Sequence, residues 1–215
     1  MSKVDSIIFD LDGTLWDSLE TCLKAWEKAL NDFGYIKEPI TAEDLRGVFG
    51  LQHDLIGEKL FPYLSKEQRE EVIELCYKEE IKLIAKQGGA LYEDLEETLN
   101  KLKSEYKLFI VSNCQAGYIE AFLEYHNLKD LFLDFECSGA TGKSKAENIK
   151  LVIQRNSLKN PVYVGDILGD YKAAEKNKIP FIYAEYGFGN IEKVEYRIES
   201  LKRLQNLKEV LIGHN

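Results

Sequence analysis

Short, uninterrupted apolar runs alternate along this chain with stretches whose apolar residues recur at three and four, and that alternation narrows the fold more than any other feature. Residues 4–9, 108–111, 131–135, 162–164 and 181–183 are rich in β-branched and aromatic side chains and lack the every-second-residue polarity of a strand with one wet face. Strands buried on both faces and separated by helices imply a doubly wound α/β core with a parallel sheet. The intervening helices are expected at 94–103, 115–125, from Ser144 onward (a Ser144-x-x-Glu147 start) and at 169–176, with a last strand at 196–198 and a helix over about 200–211.

One stretch breaks the alternation. Leu19, Cys22, Leu23, Trp26, Ala29, Leu30 and Phe33 keep helical spacing up to Gly34, which stands where a C-cap would. Asp17-x-x-Glu20, Thr41-x-x-Asp44 and Ser65-x-x-Gln68 read as helix starts. The last of these helices runs through Val72, Leu75, Cys76, Leu83 and Ile84 to Gly88-Gly89, which reads as a hinge. The expected organisation is an α/β core of residues 1–15 and 89–215 interrupted by an α-helical cap of residues 16–88. A length of 215 residues accommodates one full domain and a smaller module.

With 28 basic and 37 acidic side chains the formal net charge is -9, which repels phosphate backbones and anionic lipid, so neither nucleic acid nor a membrane surface is an expected partner. No window approaches 18 consecutive apolar residues and residues 1–8 carry no cleavable pattern, so a cytoplasmic protein, monomeric or homodimeric, is expected. The cysteines at 22, 76, 114 and 137 form no C-x-x-C pair, and the histidines at 53, 126 and 214 fit no metal-ligand spacing, so neither set is assigned chemistry.

In open α/β sheets ligands bind beyond the carboxyl ends of the strands, which directs attention to the residues that follow each strand. The first end is Asp10-Leu11-Asp12-Gly13-Thr14. Extended backbone alternates, so Asp10 and Asp12 share a side roughly 6 to 7 Å apart while Leu11 points to the core. Two carboxylates so placed repel unless a cation or proton lies between them, although Asp and Gly also make ordinary turns. The second end is Ser112-Asn113, and the third is Gly142-Lys143-Ser144-Lys145, where a lysine in the first helical turn opposes the macrodipole unless an anion offsets it. The fourth is Gly165-Asp166-Ile167-Leu168-Gly169-Asp170, in which Asp170 returns toward the crevice from the first turn or merely caps it. Each has a turn or capping explanation alone, but all four stand in order at strand ends. Together Asp10, Asp12, Asp166 and Asp170 make an oxygen-rich cluster suited to one Mg2+, with Ser112, Asn113 and a lysine to meet a phosphate dianion.

DLDGT at 10–14, VSN at 111–113, the lysine of TGKSKAEN at 141–148 and GDILGD at 165–170 resemble the four ordered motifs of the haloacid dehalogenase-like (HAD) hydrolase superfamily. The helical insert directly after the first motif resembles the subfamily of phosphoglycolate phosphatases and β-phosphoglucomutases. The resemblance implies a Rossmann-like core and a Mg2+-dependent phosphatase acting on a small phosphorylated metabolite, phosphoglycolate-like or a sugar phosphate, through an aspartyl-phosphate. It implies Asp10 as nucleophile, Asp12 as general acid and base, and Ser112, Asn113 and Lys145 as the groups that hold the phosphoryl. Asp10, Asp166, Asp170 and the backbone carbonyl of Asp12 would be the metal ligands. The third motif departs from the family's frequent Lys-Pro and offers two lysines; Lys145 is preferred to Lys143 because the cap at Ser144 fixes it.

The second aspartate disfavours dehalogenation, since a halide leaving group needs no proton. A β-phosphoglucomutase-like phosphotransferase and a catalytically silent phosphate-binding module remain as alternatives. A P-loop hydrolase is excluded because its first glycine would fall at Cys137. Trp16, Arg46, Gly47, Gly50 and Leu51 are the insert residues expected near the crevice, with ordinary packing as the other reading of Trp16, and Tyr186-Gly187-Phe188-Gly189 is expected as a loop beside the site.

Overall fold

The computed structural model describes residues 3–31 and 33–212; His214 lies outside the described residues. The chain runs β1 (Ser6–Phe9), β2 (Trp16–Asp17), α1 (Leu19–Leu30), α2 (Ala42–Arg46), α3 (His53–Leu60), α4 (Lys66–Gln87), β3 (Ala90–Leu91), α5 (Leu95–Lys103), β4 (Lys107–Ser112) and α6 (Tyr118–Tyr125). It continues with β5 (Asp134–Cys137), α7 (Ser138–Thr141), α8 (Lys145–Arg155), β6 (Pro161–Gly165), α9 (Leu168–Lys176), β7 (Phe181–Ala184), β8 (Tyr196–Ile198) and α10 (Leu207–Val210).

Six strands form one parallel sheet in the order β5-β4-β1-β6-β7-β8. From the central β1 the chain builds outward through β4 and β5, then returns to the other side for β6, β7 and β8, the doubly wound Rossmann-like arrangement. The order reverses between β1 and β6, so the crevice opens where Asp10 and Asp166 leave their strands.

The continuous apolar runs are explained by the two faces they serve. Ile7 and Phe9 join Leu108, Ile110, Val162 and Val164 in one core, while Ile8 joins Phe109, Val111 and Tyr163 in a second on the opposite face. Register holds this sorting, since Ile8 lies level with Phe109 on one neighbour and Tyr163 on the other. Ile8 is fully buried, and truncating such a residue to Ala costs roughly 2–5 kcal/mol.

The four helices α1–α4 stand between β2 and β3, which pair antiparallel as Trp16 with Leu91 and Asp17 with Ala90. Their apolar faces extend the first core through Trp26, Leu45, Val72 and Cys76. Capping boxes form at Thr41–Asp44 and Ser65–Gln68, and α4 ends at Gly88, whose φ of 65° suits a residue without Cβ.

The helix expected from residue 115 begins at Tyr118, and three further expectations shift more. The helix read as reaching Phe33 ends at Leu30 with Asn31 as its C-cap, and Asp17 belongs to β2, its carboxylate accepting from the Leu19 N–H at 2.9 Å instead of forming a box with Glu20. The strand expected over 131–135 lies later: Lys129–Leu131 is a 3₁₀ turn and β5 spans Asp134–Cys137. Arg155 on α8 forks onto Asp134 at 2.6 and 2.8 Å and reaches Glu136 at 2.7 Å, which lets polar residues sit in an edge strand. The expected C-terminal helix over 200–211 is a 3₁₀ segment, Leu201–Asn206, followed by the short α10. None of the described helices is long and apolar enough to cross a membrane.

Candidate active site

Five of the residues singled out at the strand ends are at most 4% exposed: Asp10, Ser112, Lys145, Asp166 and Asp170. Lys145, in the first turn of α8, places its Nζ 2.8 Å from Asp10 Oδ1 and 2.5 Å from Asp170 Oδ1. Lys143, two residues earlier, is exposed. The capping box at Ser144, whose side chain accepts from Glu147 N, fixes the turn that delivers Lys145 inward. Burial works against its charge, but Asp10 and Asp170 outweigh burial and hold the ammonium protonated beyond its ordinary range.

The β6 end is equally fixed. Asp170 Oδ2 accepts from the N–H groups of Asp166 (3.0 Å) and Ile167 (3.1 Å), tying the first turn of α9 back to the strand. Asp166 accepts from Phe188 N at 2.7 Å and from Thr14 Oγ1 at 3.4 Å, so the loop after β7 and the loop after β1 both clamp it. A Cβ on Gly187 would stand 2.3 Å from Asp166 Cβ and 2.4 Å from the Gly13 carbonyl, which only glycine avoids. The Tyr186–Gly189 loop is therefore packed against the cluster as expected from its place in the chain.

Carboxylate oxygens of Asp10, Asp166 and Asp170 lie within 4.8 Å of one another, all three buried. Burial first, and the Asp170 charge second, push the Asp10 carboxyl up to about 7 against the opposing pull of Lys145. The same two causes, with Asp10 added, push Asp166 well above the carboxylate range. Three buried carboxylates with one ammonium leave uncompensated negative charge, and a donor set made only of oxygens fits a hard divalent cation such as Mg2+.

Asp12 stands apart from that cluster. Its Oδ1 accepts from Ser18 Oγ at 2.6 Å and from Tyr118 OH at 2.9 Å, and Tyr118 also lies 2.9 Å from Ser18. Burial raises its pKa, and the two hydroxyl donors pull it partly back. Two aspartates separated by one residue thus occupy different environments, one among carboxylates and an ammonium, the other among hydroxyls.

The sequence profile of the family described as haloacid dehalogenase-like hydrolase matches residues 7–184. The chain belongs to the haloacid dehalogenase-like hydrolases. It is 27% identical over 200 residues to phosphoglycolate phosphatase of Aliivibrio fischeri, covering 87% of each chain, and 29% identical over 190 residues to that of Aquifex aeolicus, covering 85% of each. In fold it is similar to a haloacid dehalogenase-like family hydrolase from Streptococcus pneumoniae (TM-score 0.82, 22% identity, 97% of this chain and 99% of that one). CbbY from Rhodobacter sphaeroides, solved in complex with phosphate, is also similar (TM-score 0.79, 15% identity, 94% and 96% of the two chains).

In this hydrolase a cavity of about 40 Å³ opens between the strand ends and the helical insert, lined by Asp10, Asp12 and Ser112 on one side and by Val48, Gly50 and Leu51 on the other. Asn113 lines it too and latches the two sides: its Nδ2 donates to Gly50 O at 2.8 Å, and its own carbonyl lies 2.8 Å from His53 Nε2. Gly47 O accepts from Lys59 outside the lining. Arg46 is exposed over the Phe188 ring, 5.4 Å from its centroid. Trp16 lies in the core against Tyr118, Phe122 and His126 rather than in the cavity.

Sequence reasoning did not find Ser18, Tyr118 or Glu80, and it placed Thr14 in the first motif without giving it a role. Glu80, on α4, is 4% exposed and lines the same cavity. It accepts from the Trp26 indole N–H and from Gln115 Nε2, the latter at 2.6 Å. Burial pushes its carboxyl up to about 7 against those two donors.

Proposed function

We propose that this hydrolase is a Mg2+-dependent phosphatase that cleaves a small phosphomonoester through an aspartyl-phosphate on Asp10. The observation that carries the reading is the split between Asp10, held at 2.8 Å from Lys145, and Asp12, held by Ser18 and Tyr118. Paired carboxylates in contrasting surroundings divide nucleophile from proton carrier. The curated relatives, named as phosphoglycolate phosphatases, support the reaction class.

Asp10 attacks phosphorus, forming a carboxyl O–P bond as the ester P–O bond breaks on the opposite side. Asp12, whose burial favours its protonated form, gives its proton to the departing alcohol oxygen. As a carboxylate steadied by Ser18 and Tyr118, it then takes a proton from the water that attacks phosphorus, which returns Asp10 and releases phosphate. Ser112 and the backbone at Asn113 hold the phosphoryl oxygens, and Lys145 fixes the orientation of Asp10 and opposes its protonation. Mg2+, held by the carboxylates of Asp10, Asp166 and Asp170 and the Asp12 carbonyl, would when bound set positive charge against the phosphate oxygens.

The test is phosphate release from phosphoglycolate, glycerol 3-phosphate and methyl phosphate by the purified protein with Mg2+ and with EDTA. Phosphate release should require Mg2+ and should vanish in Asp10→Asn. Undiminished turnover by that variant would overturn the nucleophile assignment.

A further inference from the structure

In the phosphatase reading, the alcohol part of the substrate must occupy the cavity that leads away from Asp10 and Asp12. The cavity wall carries three carboxylates, Asp10, Asp12 and Glu80, and no lysine, arginine or histidine among the described residues. Lys145 is engaged by Asp10 and Asp170, and Arg46 lies outside over Phe188. A substrate with a second anion would bring that charge into a buried space beside Glu80 with no cation to meet it, which burial disfavours.

Glu80 is placed to do the opposite. Trp26 and Gln115 each donate one N–H to it, on Oε1 and Oε2 respectively, which fixes the carboxyl plane and leaves each oxygen a further acceptor site. Tyr77 lines the cavity beside it. A cavity of about 40 Å³ has room for about three water-sized groups, so the alcohol that fits is short.

We propose that Glu80 selects the leaving group, and that the substrate is the phosphomonoester of a small alcohol bearing a hydrogen-bond donor, hydroxyl or amine, and no second anionic group. This rests on the phosphatase reading and goes beyond it. It also separates this chain from the substrate named for its relatives, whose alcohol carries a carboxylate.

Steady-state kinetics with glycerol 3-phosphate, phosphoethanolamine and phosphoglycolate test it, with methyl phosphate, which carries neither a donor nor a second anion, as the control. For wild type, kcat/KM for one of the two donor-bearing esters should exceed that for phosphoglycolate by about 10-fold or more, and the better of the two identifies hydroxyl or amine. Glu80→Gln should raise KM for that ester and bring the ratio toward one, whereas a purely structural role would lower kcat/KM for all esters alike. Glycerol or ethanolamine should likewise inhibit wild type more strongly than glycolate does, a comparison that stands even if the variant fails to fold. Phosphoglycolate turned over as well as both donor-bearing esters, or a variant that scales all esters equally, would overturn the role of Glu80 and leave the phosphatase reading intact. Failure to cleave any of these esters, methyl phosphate included, would instead overturn both.

Discussion

The Tyr118 hydroxyl donates to Asp12 at 2.9 Å across 106 residues of sequence, joining the start of α6 to the loop after β1. A donor to a carboxylate favours its charged form, so removing it raises the pKa. Tyr118→Phe should therefore move the alkaline limb of the kcat/KM profile to higher pH, because protonated Asp12 survives further. Phosphate release measured from pH 5 to 9 checks this. An unshifted limb would remove Asp12 from the role of acid.

Lys145 is the only cation bonded to Asp10 and Asp170 among the described residues. Lys145→Met leaves two buried carboxylates without their partner, a change that costs roughly 3–5 kcal/mol. Urea denaturation of the metal-free protein should show that loss. Hydrolysis should fall by on the order of 10²-fold or more, as expected when charge stabilisation at the reacting centre is lost.

Proton linkage gives a third expectation. Asp10 sits near 7 in the folded protein against an ordinary 3.8, and Asp166 is also raised. A carboxyl whose folded pKa is raised contributes stability that is present below 3.8 and is lost as pH climbs toward 7. The metal-free protein should thus lose this contribution between pH 4 and about 7. Mg2+ competes with those protons, so its increase in Tm should be larger at pH 8 than at pH 5. Thermal melts in EDTA and in MgCl2 at both values decide it; an equal increase would place Mg2+ elsewhere.

Gly187→Ala forces Cβ to within 2.3 Å of Asp166 and 2.4 Å of the Gly13 carbonyl. The loop must give way, and Asp166 with it. Mg2+ affinity by calorimetry should fall by about 10-fold or more, in the range seen when groups that orient ligands are changed, while circular dichroism stays that of the folded protein.

Much of the core was legible because its signals are local. An apolar run followed by Asp10-Leu11-Asp12 shows the strand and the end at which its acids stand, though not that Ser18 and Tyr118 hold Asp12 apart from the carboxylate cluster. The capping box at Ser144 likewise distinguishes Lys145 from Lys143 within four residues. Glu80 was not legible. In sequence it is one acid in Lys78-Glu79-Glu80, and its neighbour Glu79 pairs with Lys28 and Lys82 at the surface. Its burial depends on Trp26 and Gln115, 54 and 35 residues away. The same distance hid Tyr118 from Asp12, and β5 was misplaced because Arg155, not an apolar pattern, satisfies Asp134 and Glu136.

The pairing of Trp16–Asp17 with Ala90–Leu91 means that all four helices of the insert enter and leave through one narrow ribbon. A segment joined in that way is a cassette. The wall carrying Glu80, Val48 and Leu51 lies wholly within that segment, so the side chains that face the leaving alcohol can change while Asp10, Asp166 and Asp170 keep supports that lie outside it; Asp12 does not share that freedom, since Ser18 belongs to the segment.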